Sequence, residues 1–564
     1  MSGRTRRESA AGTLFGSEGA QGGVMAKGLE VQNGHSGHPD QSDRVEVEEF
    51  HEHTNFITAF FFWVKSWALP GIGMFCEAYF VFSIGNLKPI FTQIYPHCYG
   101  KPHSDCSAEL VDSQTYTQVV GIMLGMLSLG FIADKIGRKW GSVCCASFMF
   151  VGGILLTASS GPTLAGWATM FTISQFIYGY GVGGEYPLAS SSAAERAEAN
   201  KQLRFRRGEM IVCTFAMQGW GNFVNTAIIC ILLAIFGQTS KSYNNRSLEA
   251  VWRLSFGLGL IPVTGMLIYR LFFLQESKVW IRKHMGAEMA MREQSVMWGH
   301  YWHRLVGTAG AWFFWDVSFY GNKLFQSTFI AIIAPGSSIL TGLLWTLLNS
   351  FVALVGYYFS AFTIDKMWMG RVRLQVMGFL WVFVIFLICA IFYQDLIKKQ
   401  YIAVFQFLYF FSSFWGQFGP NATTWMLPGE VFPTEVRATC HGISAAVGKA
   451  GALVAGIWFS YLTATGRFYV SAFFNLAGLL LTILFVPNII SLDLREGDRR
   501  WDALMAREPH AYTGEAVNPK NLSLFERMIG YGKHYDPEAD RRARKDEGIR
   551  SAGNIEAAKA AGPV

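Results

Sequence analysis

Within an otherwise apolar stretch, Trp312, Asp316 and Tyr320 recur at i, i+4 and i+8. That spacing puts an indole N–H, a carboxyl and a phenol on one face of a single helix. Gln218, Asn222 and Asn225 form a second polar stripe at i, i+4 and i+7, while Asn421 and Lys449 add an amide and a cation in two further apolar stretches. Lys449 lies too deep in its stretch to reach water easily by snorkelling. Glu77 and Glu185 are buried in apolar surroundings as well, Glu185 being followed by Tyr186 and the helix-disrupting Pro187. Ionisable groups at membrane depth are costly and usually mark function. Donors converging with one cation hold an oxyanion, and a carboxylate accepts the hydrogen bond of an anion that still carries a proton. Carboxyls in a low-dielectric cavity also exchange protons near neutrality. The chemistry implied is binding and release of a small anion together with protons. For the amides alone, plain interhelical hydrogen bonding is an equal reading. No nucleophile–base pair is evident, and His51 and His53 lack the spacing of a metal-binding helix. An enzyme, a metal and a cofactor are therefore not expected.

These residues need a membrane scaffold to hold them. Of 564 residues, 51% are apolar and only 15% charged, well under the charge of a soluble chain. Apolar stretches of about 20 residues, enough to cross a bilayer, recur twelve times between residues 66 and 490. The longest interruption divides them six and six. The expected architecture is an all-α membrane protein with twelve transmembrane helices in two six-helix bundles. Its parts are a disordered cytosolic N-terminal tail (1–55), an N-terminal bundle (56–274), a central cytosolic loop (275–303), a C-terminal bundle (304–490) and a charged cytosolic C-terminal tail (491–564). The last holds 13 Lys and Arg and 13 Asp and Glu, so it belongs in water. The short loops on the side of both tails carry about seventeen Lys and Arg against about seven on the other, which orients both termini toward the cytosol. Asn245-Arg246-Ser247 is then a glycosylation sequon in an outer loop. Cys98 and Cys106 share the first outer loop, where a disulfide can form.

Gly179-Tyr180-Gly181-Val182-Gly183-Gly184 has the spacing of a dinucleotide fingerprint, but it lies inside an apolar helix and not after a strand. Close helix packing is the better reading, and no nucleic-acid or nucleotide partner is expected. Two loops carry an Asp followed by a basic turn: Asp134-Lys135-Ile136-Gly137-Arg138 after the second span, and Asp365-Lys366 with Gly370-Arg371 after the eighth. Such groups can pair with helix termini and latch one conformation. Their recurrence at equivalent places suggests parallel six-helix repeats.

Here the chain resembles the major facilitator superfamily, whose loop signature the first copy matches closely. Three further segments resemble its phosphate:proton symporter family: Gly416-Gln-Phe418-Gly-Pro-Asn421, Pro428-Gly-Glu430-Val-Phe-Pro433-Thr-Glu-Val-Arg437, and His441 through Gly448-Lys449. Gly184-Glu185-Tyr186-Pro187, Met217-Gln218-Gly219 and Trp312 through Tyr320 fit the same pattern. The resemblance implies a proton-coupled importer of inorganic phosphate working by alternating access; the plasma membrane is the expected location. The resemblance also implies Tyr186, Gln218, Trp312, Asp316, Tyr320, Asn421 and Lys449 as phosphate ligands, while burial in apolar spans makes Glu77, Glu185 and Asp316 the expected proton-coupling acids. Asp134, Arg138, Asp365, Arg371, Glu430 and Arg437 would form the cytosolic gate. Two positions depart from the family pattern: Glu185 replaces an Asp, and Glu77-Ala78-Tyr79-Phe80 replaces a run with an acid at its end. A site altered in this way also suits a glycerophosphodiester or another organic anion, and a phosphate-sensing receptor is the rival from a different class.

Overall fold

The computed structural model describes residues 56–100, 104–136, 138–199, 206–274, 287–490, 492 and 494–542. The 1–55 tail, the first part of the central loop and the end of the C-terminal tail lie outside them. The described elements are helical. In the first half they are α1 (Phe56–Ala68), α2 (Ile72–Val81), α3 (Ser83–Ile94), α4 (Ala108–Ile136), α5 (Arg138–Thr157), α6 (Leu164–Ala199), α7 (Arg207–Ile235) and α8 (Asn245–Phe272). Then come α9 (Ala287–His300), α10 (Trp302–Leu324), α11 (Gln326–Ile333), α12 (Ile339–Thr363), α13 (Gly370–Ile391), α14 (Ile402–Gly416), α15 (Thr434–Tyr461) and α16 (Ala464–Phe485). Two polar-surfaced helices follow, α17 (Leu494–Met505) and α18 (Leu524–Met528).

Seven of these helices are long and apolar enough to cross a bilayer unaided. The other crossings are interrupted or more polar, and the interruptions fall in equivalent places. The first span is α2 and α3 joined at Phe82, and the seventh is α10 and α11 joined at Phe325. The tenth, α14, runs into a π turn at Gln417–Asn421 containing Pro420, then a short helix Ala422–Met426. Pro cannot donate a backbone hydrogen bond, and a π turn of this kind is frequent at functional sites.

Packing repeats with the sequence halves. Span 2 packs on span 4 and span 8 on span 10; span 1 packs on span 5 and span 7 on span 11; span 3 packs on span 6 and span 9 on span 12. The halves meet along two seams, α4 against α15 and α7 against α12, which exchange when the halves are exchanged. That is the relation expected of parallel repeats about an axis along the membrane normal. Large apolar side chains such as Phe272, Ile235, Ile261 and Leu127 point outward, as a lipid-facing surface requires.

The glycine run packs as expected. A Cβ at Gly179 would lie 2.2 Å from the Gln118 carbonyl oxygen, and at Gly183 2.3 Å from that of Ile122, so α6 seats its backbone directly on α4. Cys98 and Cys106 are disulfide-bonded, with Cα atoms 4.9 Å apart. The two polar segments outside the bundles carry structure of their own. Residues 287–300, expected within the central loop, form α9. Described residues of the C-terminal tail also fold: Ser523 and Glu526 make a reciprocal capping box at the start of α18, and Phe525 packs edge-on or tilted against Trp302 and Phe485. An apolar side chain set among charged neighbours anchors the tail to the end of α10.

Candidate functional site

The seven expected ligands are all buried, each at most 5% exposed, and fall into two clusters. Lys449 Nζ, on α15, donates to Asp316 Oδ2 at 3.0 Å and to the Tyr320 hydroxyl at 2.9 Å, both on α10. The same ammonium lies 4.8 Å from the Tyr186 ring centre and 4.5 Å from that of Tyr320, within cation–π range. Tyr186, on α6, donates its hydroxyl to Glu77 Oε1 on α2. Tyr186 thus bridges the acid of the first span and the cation of the eleventh. The Trp312 indole packs between Tyr186 and His441, ring centres 6.3 and 5.7 Å away. It can do so because Gly448 presents no side chain: a Cβ there would lie 2.5 Å from the indole.

A second cluster holds the amides. Gln218 Oε1 on α7 accepts from the Tyr357 hydroxyl at 2.9 Å and from Asn421 Nδ2 at 3.1 Å. Asn421 Nδ2 also donates to Gln417 Oε1 at 2.6 Å, and its carbonyl accepts from Trp315 Nε1 at 2.8 Å. The π turn swings Asn421 into this position. The rest of the stripe on α7 does what the bland reading allowed. Asn222 donates to Ser350 across the halves at 2.9 Å, and Asn225 accepts from Asn86 at 3.0 Å.

The acids do not behave alike. Glu77 Oε2 is buried without a hydrogen-bond partner among the described residues. Glu185, with no cation neighbour in its own span, is clamped from another span by both terminal nitrogens of Arg270 on α8, one of these contacts at 2.6 Å. Arg270 also donates to the Ser142 carbonyl at 3.1 Å. Phe80, where the family pattern has an acid, stacks on Tyr178 at 4.3 Å and on Phe256 at 5.5 Å.

At the membrane face carrying α9 and α17, charged groups join the halves. Glu430 is gripped by Arg207 at 2.7 Å and by Arg371 at 3.0 Å. Asp365 pairs with Arg371 at 2.8 Å and accepts from the backbone N–H of Glu209, also at 2.8 Å, at the N-terminus of α7. An acid there complements the helix dipole. Burial by itself would raise the Glu430 carboxyl, but the two guanidiniums outweigh it and hold it at about 2. Arg437 stands apart from this pairing and donates to the Phe432 carbonyl at 3.2 Å. Asp134 and Arg138 fall in helices, their side chains outside the described residues.

Tyr357, Gln417, Trp315, Arg207 and Arg270 were missed from the sequence. An Arg inside an apolar span is itself a signal, and Gln417 lies four residues before Asn421. Tyr357, in an apolar run, carried no signal.

A family profile described as sugar (and other) transporter matches residues 68–300 and 316–501. Low affinity inorganic phosphate transporter 1 of Petunia hybrida is 30% identical over 443 residues, 70% of this chain and 81% of its own. Glycerophosphoinositol permease 1 of Candida albicans is 29% identical over 438 residues, 76% of this chain and 79% of its own. Among solved structures, the proton:xylose symporter XylE bound to 6-bromo-6-deoxy-D-glucose superposes with a TM-score of 0.62 at 19% identity, covering 79% of this chain and 99% of XylE. The inward open form of XylE from E. coli gives 0.56 at 19% identity, covering 76% and 98%. At that identity the likeness concerns the fold, and it agrees with the repeat geometry described above. With most of its length matched by the family profile, the chain belongs to the sugar (and other) transporter family and has the twelve-helix major facilitator fold.

Proposed function

We propose that the protein imports inorganic phosphate with protons, by alternating access of its two halves about the Lys449 site. The observation that carries this reading is Lys449, buried between Asp316 and Tyr320 and backed by the Tyr186 ring. A buried cation with a carboxylate already paired to it is neutral as a unit. An arriving oxyanion competes with Asp316 for the ammonium, and two negative groups around one cation in a low-dielectric centre repel strongly. A proton on Asp316 relieves this, frees Lys449 to hold the anion and leaves a donor for a phosphate oxygen. Anion and proton therefore bind best together. Glu77, one of whose oxygens has no hydrogen-bond partner among the described residues, is the second group positioned to hold a proton, and Tyr186 links it to the anion. Gln218, Trp312 and Asn421 supply further polar contacts. The charged cluster at Glu430 closes the face carrying α9. In this reading that face is cytosolic, both termini lie there, and the membrane is the plasma membrane.

The name of the Petunia hybrida relative supports phosphate as the substrate. A glycerophosphodiester is the second reading, favoured by the permease of Candida albicans at comparable identity. The test is purified protein in liposomes, with phosphate and pH gradients set independently. Labelled phosphate should accumulate when the outside is more acidic, Lys449→Ala should abolish accumulation, and excess glycerophosphoinositol should not compete. Strong competition would move the substrate to the diester. Binding without net uptake of either would make the protein a receptor.

A further inference from the structure

A narrow cavity lies between α10, α12, α13 and α14, toward the end of α10 remote from α9. Its lining contains one cation, Lys323, and no acid. Among the described residues, Lys323 Nζ has only a long contact, 3.4 Å, to Gln326 Oε1. This is the reverse of Lys449, whose charge is met by Asp316. A cation within a membrane span and without an acid facing it calls for an anion. The walls also hold hydrogen-bonding groups with nothing to bond. Gln326 Nε2 and Asn349 Oδ1 are buried and unpartnered among the described residues, in side chains 4% and 1% exposed. Native interiors satisfy such groups, so each one unsatisfied needs an explanation. A half-turn of the Asn349 amide would present its NH₂ instead, so the pair can offer donors to an oxyanion or an acceptor to its hydroxyl.

The cavity also has a direction. Its inner wall is Trp315 and Gln417, which hold Asn421 of the central cluster at 2.8 and 2.6 Å. Near its other end, Phe325 has Lys88 on one side at 5.6 Å and Arg467 at 4.5 Å. Positive charge gathered there raises the local concentration of anions.

We propose that this cavity is a second oxyanion site, in which Lys323, Gln326 and Asn349 hold the anion on its way between the face remote from α9 and Lys449. This rests on the reading of the protein as an oxyanion carrier, and its test is separable from that reading. Inorganic phosphate is the probe, measured by equilibrium binding to purified protein and by initial uptake into liposomes. The wild type should bind two phosphates, one tight and one weak. Lys323→Gln should lose the weak one, keep the tight one, and raise the half-saturating phosphate concentration for uptake about tenfold, a loss typical of a charged hydrogen bond. Its maximal rate should stay within about twofold. Lys323→Arg should keep both sites. Lys449→Ala should lose the tight phosphate and retain the weak one. If Lys323→Gln does not fold, Asn349→Leu carries the test, with the same rise expected. One phosphate per wild-type protein, or wild-type half-saturation in these variants, overturns the second site and leaves the central one standing. Loss of all binding in Lys449→Ala likewise overturns it.

Discussion

Replacing Asp316 by Asn keeps the shape of the side chain and an acceptor for Lys449 but removes the paired negative charge. The two side chains are 2% and 3% exposed and 3.0 Å apart, so water does little to compensate either. Deleting one member of such a pair costs about 3–5 kcal/mol, because the remaining charge stays buried and unmet. Part of this is offset by the amide oxygen, which still accepts a hydrogen bond. Phosphate can offset more, since it brings the missing charge. In the wild type the anion gains less, having first to displace Asp316 or wait for its protonation. Three outcomes should therefore appear together. In detergent without phosphate, the thermal midpoint of Asp316→Asn should fall below wild type. Added phosphate should raise that midpoint further in the variant than in the wild type. In liposomes, exchange of labelled phosphate across the membrane should continue while accumulation driven by a pH gradient stops. Accumulation at the wild-type rate in a measured gradient would refute the reasoning, as would equal phosphate stabilisation of both proteins.

The clamp on Glu185 predicts that Glu185→Gln reduces the yield of folded protein by stranding Arg270, whereas Glu185→Gln with Arg270→Gln recovers it; size-exclusion chromatography after solubilisation decides this, and failure of the double variant to recover would argue for a role beyond pairing. Glu430, held at about 2, is a carboxyl with a depressed value: its contribution is present above the ordinary carboxylate range and lost only as pH falls toward 2. Between about pH 5 and 8 it stays charged, so Glu430→Gln should change the rate of uptake without changing the shape of its pH profile, as initial rates across that window would reveal. Glu526 is buried; burial would raise its carboxyl, but Arg304 and His303 pull it well below the ordinary range. Docking of α18 should thus persist at neutral pH, and Glu526→Ala should release it, seen as faster hydrogen exchange over residues 494–528 with the transmembrane helices unaffected.

The twelve crossings and their division into halves were legible because lipid accepts only segments that satisfy their own backbone, so composition alone betrays them. Their ends were less so: α4 runs from Ala108 to Ile136 and α6 from Leu164 to Ala199, beyond the apolar stretches, since a helix does not stop where the bilayer does. The polar residues of the centre were legible too. A polar or charged group within an apolar span is costly, and that cost makes it visible in one dimension. Partnership was not visible. Glu77, Glu185 and Asp316 look alike in the sequence, three carboxyls in apolar runs. Only packing gives Asp316 a Lys from α15, Glu185 an Arg from α8, and Glu77 a phenol on one oxygen, with no hydrogen bond on the other among the described residues. These partners lie 133, 85 and 109 residues away, beyond any local spacing rule. The same holds for Phe80, whose position reads as a lost acid in the sequence but is filled in the fold by an aromatic stack. Residue type sets what a side chain can do and what burying it costs. Which charge it meets is decided by helices brought together in three dimensions, and here that separates a coupled pair from a structural clamp.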